Sequence, residues 1–311
     1  MVSLRYHLVS LGAALMALAA GVVLGAGPLS TTVNQALAAQ KPSTASDAAA
    51  LTTLRNQQAY DTKYAVATAT TLVRGQLAQR HVVLIVAPGV PASLVAGVTS
   101  SLGQAGATVT GPVRLSAAWL DPAEQAVLAG ITSQLAPATP PAGATQADEA
   151  AAALAASVVS TRTSARPADT ATALLAGLVQ GGFVTVTGQP AQAATMAVLL
   201  VPATGTAQGG LLPLARALST TGAAAVIVGP RGSATSSGAI GAMRAAPGTG
   251  TGGALLGGAP AAGTVSSVDN VDLASGQVAM VLALKQQIGP GGGHGQYGQG
   301  RGADAPLPPV H

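Results

Sequence analysis

The amino-acid sequence predicts an α/β protein in which a hydrophobic N-terminal helix and a helical connector precede a Rossmann-like domain. Short, continuously apolar runs at residues 81–89, 195–203 and 223–232 end in proline or glycine, which is typical of strands buried on both faces. Stretches with helical spacing separate these runs. Because strands and helices alternate, we expect a mainly parallel sheet covered on both faces, most commonly doubly wound.

The N-terminal helix is predicted from residues 8–29, a run of 22 residues without a charge. A helix of this length spans about 33 Å, and a bilayer core of ~30 Å needs about 20 such residues. Arg5 precedes the run, and the next charge is Lys41. Since flanking positive charge stays in the cytoplasm, the sequence predicts a transmembrane anchor over residues 1–30 with the remainder of the chain outside.

A cleavable signal peptide is the alternative interpretation of the same segment. Residues 36–38 (Ala-Leu-Ala) offer a small-x-small cleavage site. The apolar region of a signal peptide is usually shorter, about 7–15 residues, which favours the retained anchor. Gly21 and Gly25 lie four residues apart in this helix. They form a candidate face of small residues against which another helix could pack.

Residues 31–80 form the predicted connector, which is rich in Ser, Thr, Ala and Pro before becoming helical from about residue 48. A heptad register that starts at Leu51 is interrupted by polar Gln58 and Asp61. The pattern therefore predicts a helix with weak coiled-coil character. Self-association through such a segment would give a homo-oligomer.

Residues 81–289 form the predicted α/β domain, and residues 290–311 form a Gly/Pro-rich tail. After the first strand at residue 81, a helix ends at Gly103 and a second, more amphipathic strand follows. The remaining elements are expected in this order: helices at about 122–135, 148–159 and 168–180, strands at 182–188 and 195–203, a helix at 211–222, strands at 223–232 and 266–272, and a helix at 274–288.

Composition excludes several other classes of protein. A transmembrane β-barrel needs alternating segments of ~10 residues and two aromatic girdles, whereas this chain has one Trp, four Tyr and one Phe; we expect no barrel. The 14 basic residues are scattered rather than clustered, so no nucleic-acid partner is expected. The absence of cysteine excludes disulfides and thiolate metal sites.

Residue patterns for catalysis are missing, so we expect neither an enzyme nor a bound cofactor. Neither a dinucleotide-binding nor a phosphate-binding glycine motif follows a predicted strand. The nearest pattern surrounds Arg231, within residues 229–238, where backbone amides could cradle an anion. Asp269 and Asp272 flank a predicted sheet edge and are expected to be solvated or to cap a helix.

Two terminal segments, residues 1–25 and 291–303 (GGGHGQYGQGRGA), together resemble the actinobacterial copper transport protein family MctB, as does the segment 268–288. The resemblance implies an envelope-membrane protein that supports copper efflux and copper resistance, with copper as a transported ion. One span cannot line a channel, so a pore would require an oligomer.

His294 and Tyr297 lie in the C-terminal motif and are the first candidates for function, with His294 as a candidate metal ligand. Glycine on either side would let the backbone approach a partner closely. A structural or scaffolding module of the envelope, bound to other envelope proteins and without transport activity, is the alternative function. Which envelope membrane holds the chain stays open at this point.

Overall fold

A computed structural model describes most of the chain beyond the predicted anchor. The described residues are 44–135, 144–160, 169–187, 194–205, 211–221, 224–245, 265–289 and 292–309. The predicted transmembrane segment, with Gly21 and Gly25, lies outside the described residues. Among the helices that are described, none is both long and apolar enough to cross a bilayer. The anchor, its signal-peptide alternative and the limits of the predicted domains therefore stay predictions.

The chain divides into two compact units, Met1–Asp61 and Thr62–His311. Helix α1 (Thr44–Val73) runs through the division. It has no internal proline or glycine, and Asp47 stands in its first turn, where a negative charge is favourable. In the first unit its side chains from residue 47 onward are exposed, including the large apolar Leu51 and Leu54.

The described residues of the second unit form a seven-stranded sheet in the order β3-β2-β1-β4-β5-β6-β7. Among these strands β3 alone pairs antiparallel, so the prediction of a mainly parallel sheet is confirmed. The strands are β1 (His81–Val86), β2 (Thr108–Leu115), β3 (Val184–Val186), β4 (Met196–Leu200), β5 (Ala224–Val228), β6 (Ser266–Val268) and β7 (Gln296–Tyr297).

Seven helices follow α1 in the described part of the chain and cover both faces of the sheet. They are α2 (Ala92–Gln104), α3 (Gln125–Leu135), α4 (Gln146–Val158), α5 (Asp169–Gln180), α6 (Leu211–Thr220), α7 (Ala239–Ala245) and α8 (Ala274–Ile288). Thr145 caps α4, since its hydroxyl accepts from the Asp148 amide while the Asp148 carboxylate accepts from the Thr145 amide. Two short 3₁₀ helices, Ala117–Leu120 and Pro122–Glu124, connect β2 to α3.

Alternating residues of the central strands belong to two hydrophobic cores, because successive side chains of a strand point to opposite faces. On β1, Val83 and Ile85 pack toward α3, α4, α5 and α6. Val82 and Leu84 face the other way, toward α2, α8 and the C-terminal part of α1. Burial on both faces explains why these strands are apolar throughout rather than alternating.

The carboxyl ends of β5, β6 and β7 meet at one corner of the sheet. Gly229 follows β5, Asp269 follows β6 and Gly298 follows β7. The chain reaches β7 only after α8, and residues 296–297 of the predicted tail then pair with β6. This corner brings together the C-terminal motif and the polar residues of the preceding strands.

Because the core covers both faces of the sheet, the same valine-to-alanine substitution should affect stability differently at a buried and at an exposed position. Val226 on β5 is 1% exposed, whereas Val127 on α3 is 53% exposed. Val226→Ala should lower the free energy of unfolding by about 2 kcal/mol, because it removes buried methyl groups and leaves a cavity. Val127→Ala should change it by no more than about 0.5 kcal/mol. Urea denaturation of the full chain measures both, and equal losses would contradict the described core.

Candidate functional site

A buried ion pair lies at the centre of the corner formed by β5, β6 and β7. Arg244 on α7 reaches Asp269 with an Nη1–Oδ2 distance of 2.6 Å, and the two side chains are only 5% and 3% exposed. The guanidinium also donates from Nε to Ser267 Oγ at 3.0 Å, from Nη2 to the Tyr297 carbonyl at 2.9 Å and from Nη1 to the Arg301 carbonyl at 3.0 Å. Every nitrogen of this buried cation therefore has a partner, as burial of a charge requires.

The Asp269 carboxylate is satisfied by the backbone of the C-terminal motif. Its Oδ1 accepts from the amides of Gln299 at 2.8 Å and Gly300 at 3.1 Å, and its Oδ2 accepts from Gly300 at 3.0 Å. A side chain at Gly298 or Gly300 would collide with this carboxylate, and Gly298 also has a φ of +125°. The glycines are thus required for the backbone to approach Asp269.

Strand β7 is held at its first residue, Gln296, which is 3% exposed. Ser267 Oγ donates to Gln296 Oε1, and Gln296 Nε2 donates to the Val265 carbonyl at 3.0 Å. The Gln296 amide donates to Asp304 Oδ2 at 2.9 Å. These bonds to side chains supplement the ladder of a strand only two residues long.

Tyr297, a predicted functional residue, is buried against α8. Its hydroxyl donates to Gln286 Oε1 at 2.6 Å, and burial raises the pKa of the phenol above its ordinary value. The ring occupies the space that a side chain at Gly295 would need. In this position Tyr297 fastens β7 to α8.

His294, the predicted metal ligand, precedes β7 and is exposed at the surface. Partial desolvation of the ring lowers the pKa of His294 below its ordinary value. At neutral pH the imidazole is therefore mainly uncharged, with a nitrogen lone pair available. The described residues hold no group of three or more His, Asp or Glu side chains that could bind a metal ion. His294 would thus need ligands from elsewhere.

Arg231, the predicted anion contact, lies in the loop after β5 and pairs with Asp272. Its Nε is 2.6 Å from Asp272 Oδ2, and its amide donates to Asp272 Oδ1 at 2.9 Å. The two side chains are 54% and 25% exposed. An anion at Arg231 would have to compete with this carboxylate, which already uses the guanidinium and the adjacent amide.

The importance of Arg244 and Asp269 was not predicted from the sequence. We expected Asp269 to be solvated or capping, and that expectation is wrong because Asp269 is buried in the ion pair. A usable signal was present, since Arg244 stands in an apolar stretch, AIGAMRA, of a chain in which only 8% of residues are charged. A charge in such a context is commonly paired inside the protein.

Fold and site together define a Rossmann-like α/β domain whose glycine-rich C-terminal segment is joined to the sheet by a buried ion pair. The sequence matches the family described as "Copper transport outer membrane protein, MctB" over residues 1–308, and the chain belongs to that family. Proteins named Copper transporter MctB from Mycobacterium bovis and Mycobacterium tuberculosis are 30% identical to it. Each alignment covers 97% of this chain and 98% of the relative.

The same substitution at the two carboxylates of this corner should lower stability by very different amounts. Asp269→Asn leaves the buried Arg244 charge uncompensated and should cost about 3–5 kcal/mol of unfolding free energy. Asp272→Asn breaks an ion pair that solvent reaches and should cost no more than about 1 kcal/mol. Chemical denaturation of the full chain measures both, and a loss of less than about 1 kcal/mol for Asp269→Asn would show that the pair is not the central contact.

The lowered pKa of His294 predicts how stability depends on pH. Between the folded pKa and the unfolded value near 6.5, the unfolded chain binds more protons at His294 than the folded chain does. The stability contributed by the neutral ring should therefore be complete above pH 6.5 and decrease as the pH falls through this interval. His294→Gln should reduce this dependence of stability on pH. Denaturation midpoints measured at several pH values in the same interval check it. An NMR titration that placed the pKa of His294 above 6.5 would contradict this prediction, because stability would then increase rather than decrease as the pH falls.

Proposed function

We propose that this chain is an envelope-anchored protein that supports copper efflux and copper resistance. The observation that carries the proposal is its match to a copper transport family over nearly the whole sequence. Curated relatives named as copper transporters align with it over nearly their entire length. Because each alignment covers 98% of the relative, the function that the relatives' names state can be proposed for this chain.

Anchoring is proposed through residues 8–29, with the N-terminus on the cytoplasmic side and the α/β domain outside. The uncharged length of this segment and the position of Arg5 support this topology. The description of the family names the outer membrane, which supports a location in the cell envelope. The length of the uncharged segment supports a retained anchor over a cleaved signal peptide.

Copper is proposed as a transported ion rather than as a cofactor of an enzyme, and a conducting path would require several copies. One predicted span per chain cannot enclose a pore. In the first unit, α1 exposes Leu51, Leu54 and Tyr60 to solvent, and such apolar side chains favour association with another helix. A homo-oligomer is therefore part of the proposal.

His294 is proposed as a copper contact. Imidazole nitrogen suits copper, and its lowered pKa keeps the nitrogen unprotonated near pH 7. A single imidazole makes a weak site, so the missing ligands would come from His294 of other copies in the oligomer. The site would then exist only in the assembled protein.

Deletion of the gene, followed by complementation, tests the copper function. Loss of the protein should lower copper tolerance and raise cell-associated copper, and the full chain should restore both. His294→Gln should restore them less well than His81→Gln, a control histidine at the first residue of β1. Copper tolerance and cell-associated copper that are both unchanged on deletion would reject the proposed function.

A structural or scaffolding module of the envelope is the second candidate function. The lack of a metal-binding cluster among the described residues and the exposed apolar side chains of α1 favour it. Crosslinking in intact cells should then recover other envelope proteins with the chain. Copper handling would be normal in the deletion strain, which separates this candidate from the first.

A further inference from the structure

Three buried polar atoms in the segment between β2 and α3 make no hydrogen bond in the described part of the chain. They are Ser116 Oγ, Trp119 Nε1 and Gln125 Oε1. Trp119 is 1% exposed and belongs to the core that packs against α3, α4, α5 and α6. Because buried polar groups nearly always have a partner, three unpartnered atoms in ten residues require an explanation.

Hydrogen bonds connect these three residues within one short segment. The Trp119 amide donates to the Ser116 carbonyl at 3.2 Å, and Gln125 Nε2 donates to the Trp119 carbonyl at 3.0 Å. Ser116 occupies the N-cap of the first 3₁₀ helix, yet its hydroxyl does not cap that helix. A serine at this position usually bonds the local backbone, so the burial of its hydroxyl points to a different partner.

The three atoms offer complementary hydrogen-bonding chemistry. The indole Nε1–H can only donate, the amide oxygen of Gln125 can only accept, and the hydroxyl of Ser116 can do either. We propose that they bind one internal water molecule, which accepts from Trp119, donates to Gln125 and bonds Ser116. Three bonds are the usual number for a buried water. This site is independent of the proposed copper function.

The water would link the end of β2 to the start of α3. Gln125 is the first residue of α3, and Ser116 directly follows β2. Through Gln125 Nε2, the same side chain also holds the Trp119 carbonyl. One molecule would therefore fix both the indole ring and the direction in which the chain enters α3.

The single Trp of the chain makes the site directly observable. In the full chain labelled with ¹⁵N-Trp, the indole N–H should show a nuclear Overhauser effect to a long-lived water. Ser116→Ala should retain it, since Trp119 and Gln125 still bind the water, whereas the double variant Ser116→Ala/Gln125→Met should lose it. A control double variant, Ser133→Ala/Gln76→Met, removes exposed polar groups outside this site and should retain the effect.

Three results would overturn the proposal. First, the unsubstituted chain could show no nuclear Overhauser effect between the indole N–H and water. The signal could disappear in Ser116→Ala alone, which would identify the serine hydroxyl as its source. It could also persist in the double variant that removes both side-chain partners. Near-UV circular dichroism checks that each variant is folded before the signals are compared.

Discussion

The buried ion pair between Arg244 and Asp269 is the contact on which the C-terminal third of the sheet depends. Arg244 comes from α7, Asp269 follows β6, and the amides and carbonyls that complete the pair come from residues 297–301. Charges are costly to bury unless every donor and acceptor is satisfied. The pair thus forms only when these three segments meet, and it gives the glycine-rich segment a defined position.

Small side chains account for much of the remaining packing. Ala150, Ala151 and Ala155 on α4 are fully buried. Alanine leaves little volume between elements, so backbones can lie close together while each residue loses almost no side-chain entropy on burial. The larger fully buried residues, Trp119 and Phe183, occur beside this alanine-rich region. A chain with only 2% aromatic residues can therefore still have a continuous core.

The sequence predicted the sheet better than it predicted the site. Apolar runs identified β1, β4 and β5 because burial on both faces leaves a clear signal. Strand β7 has only two residues, Gln296 and Tyr297, and is set by contacts with Asp304 and Gln286 that no local pattern reveals. Asp269 was misjudged for the same reason, since its partners are distant in sequence. The pairing of Arg231 with Asp272 spans 41 positions and also leaves no local signal.

The position of β7 also has a consequence for the order in which the fold can be completed. During synthesis β6 emerges well before its outer neighbour, because α8 lies between them in the chain. Until residues 296–297 arrive, the outer backbone groups of β6 have no strand to bond, and such open edges readily pair with other chains. Closure of the sheet at this edge is thus delayed until the segment that follows α8 has been made.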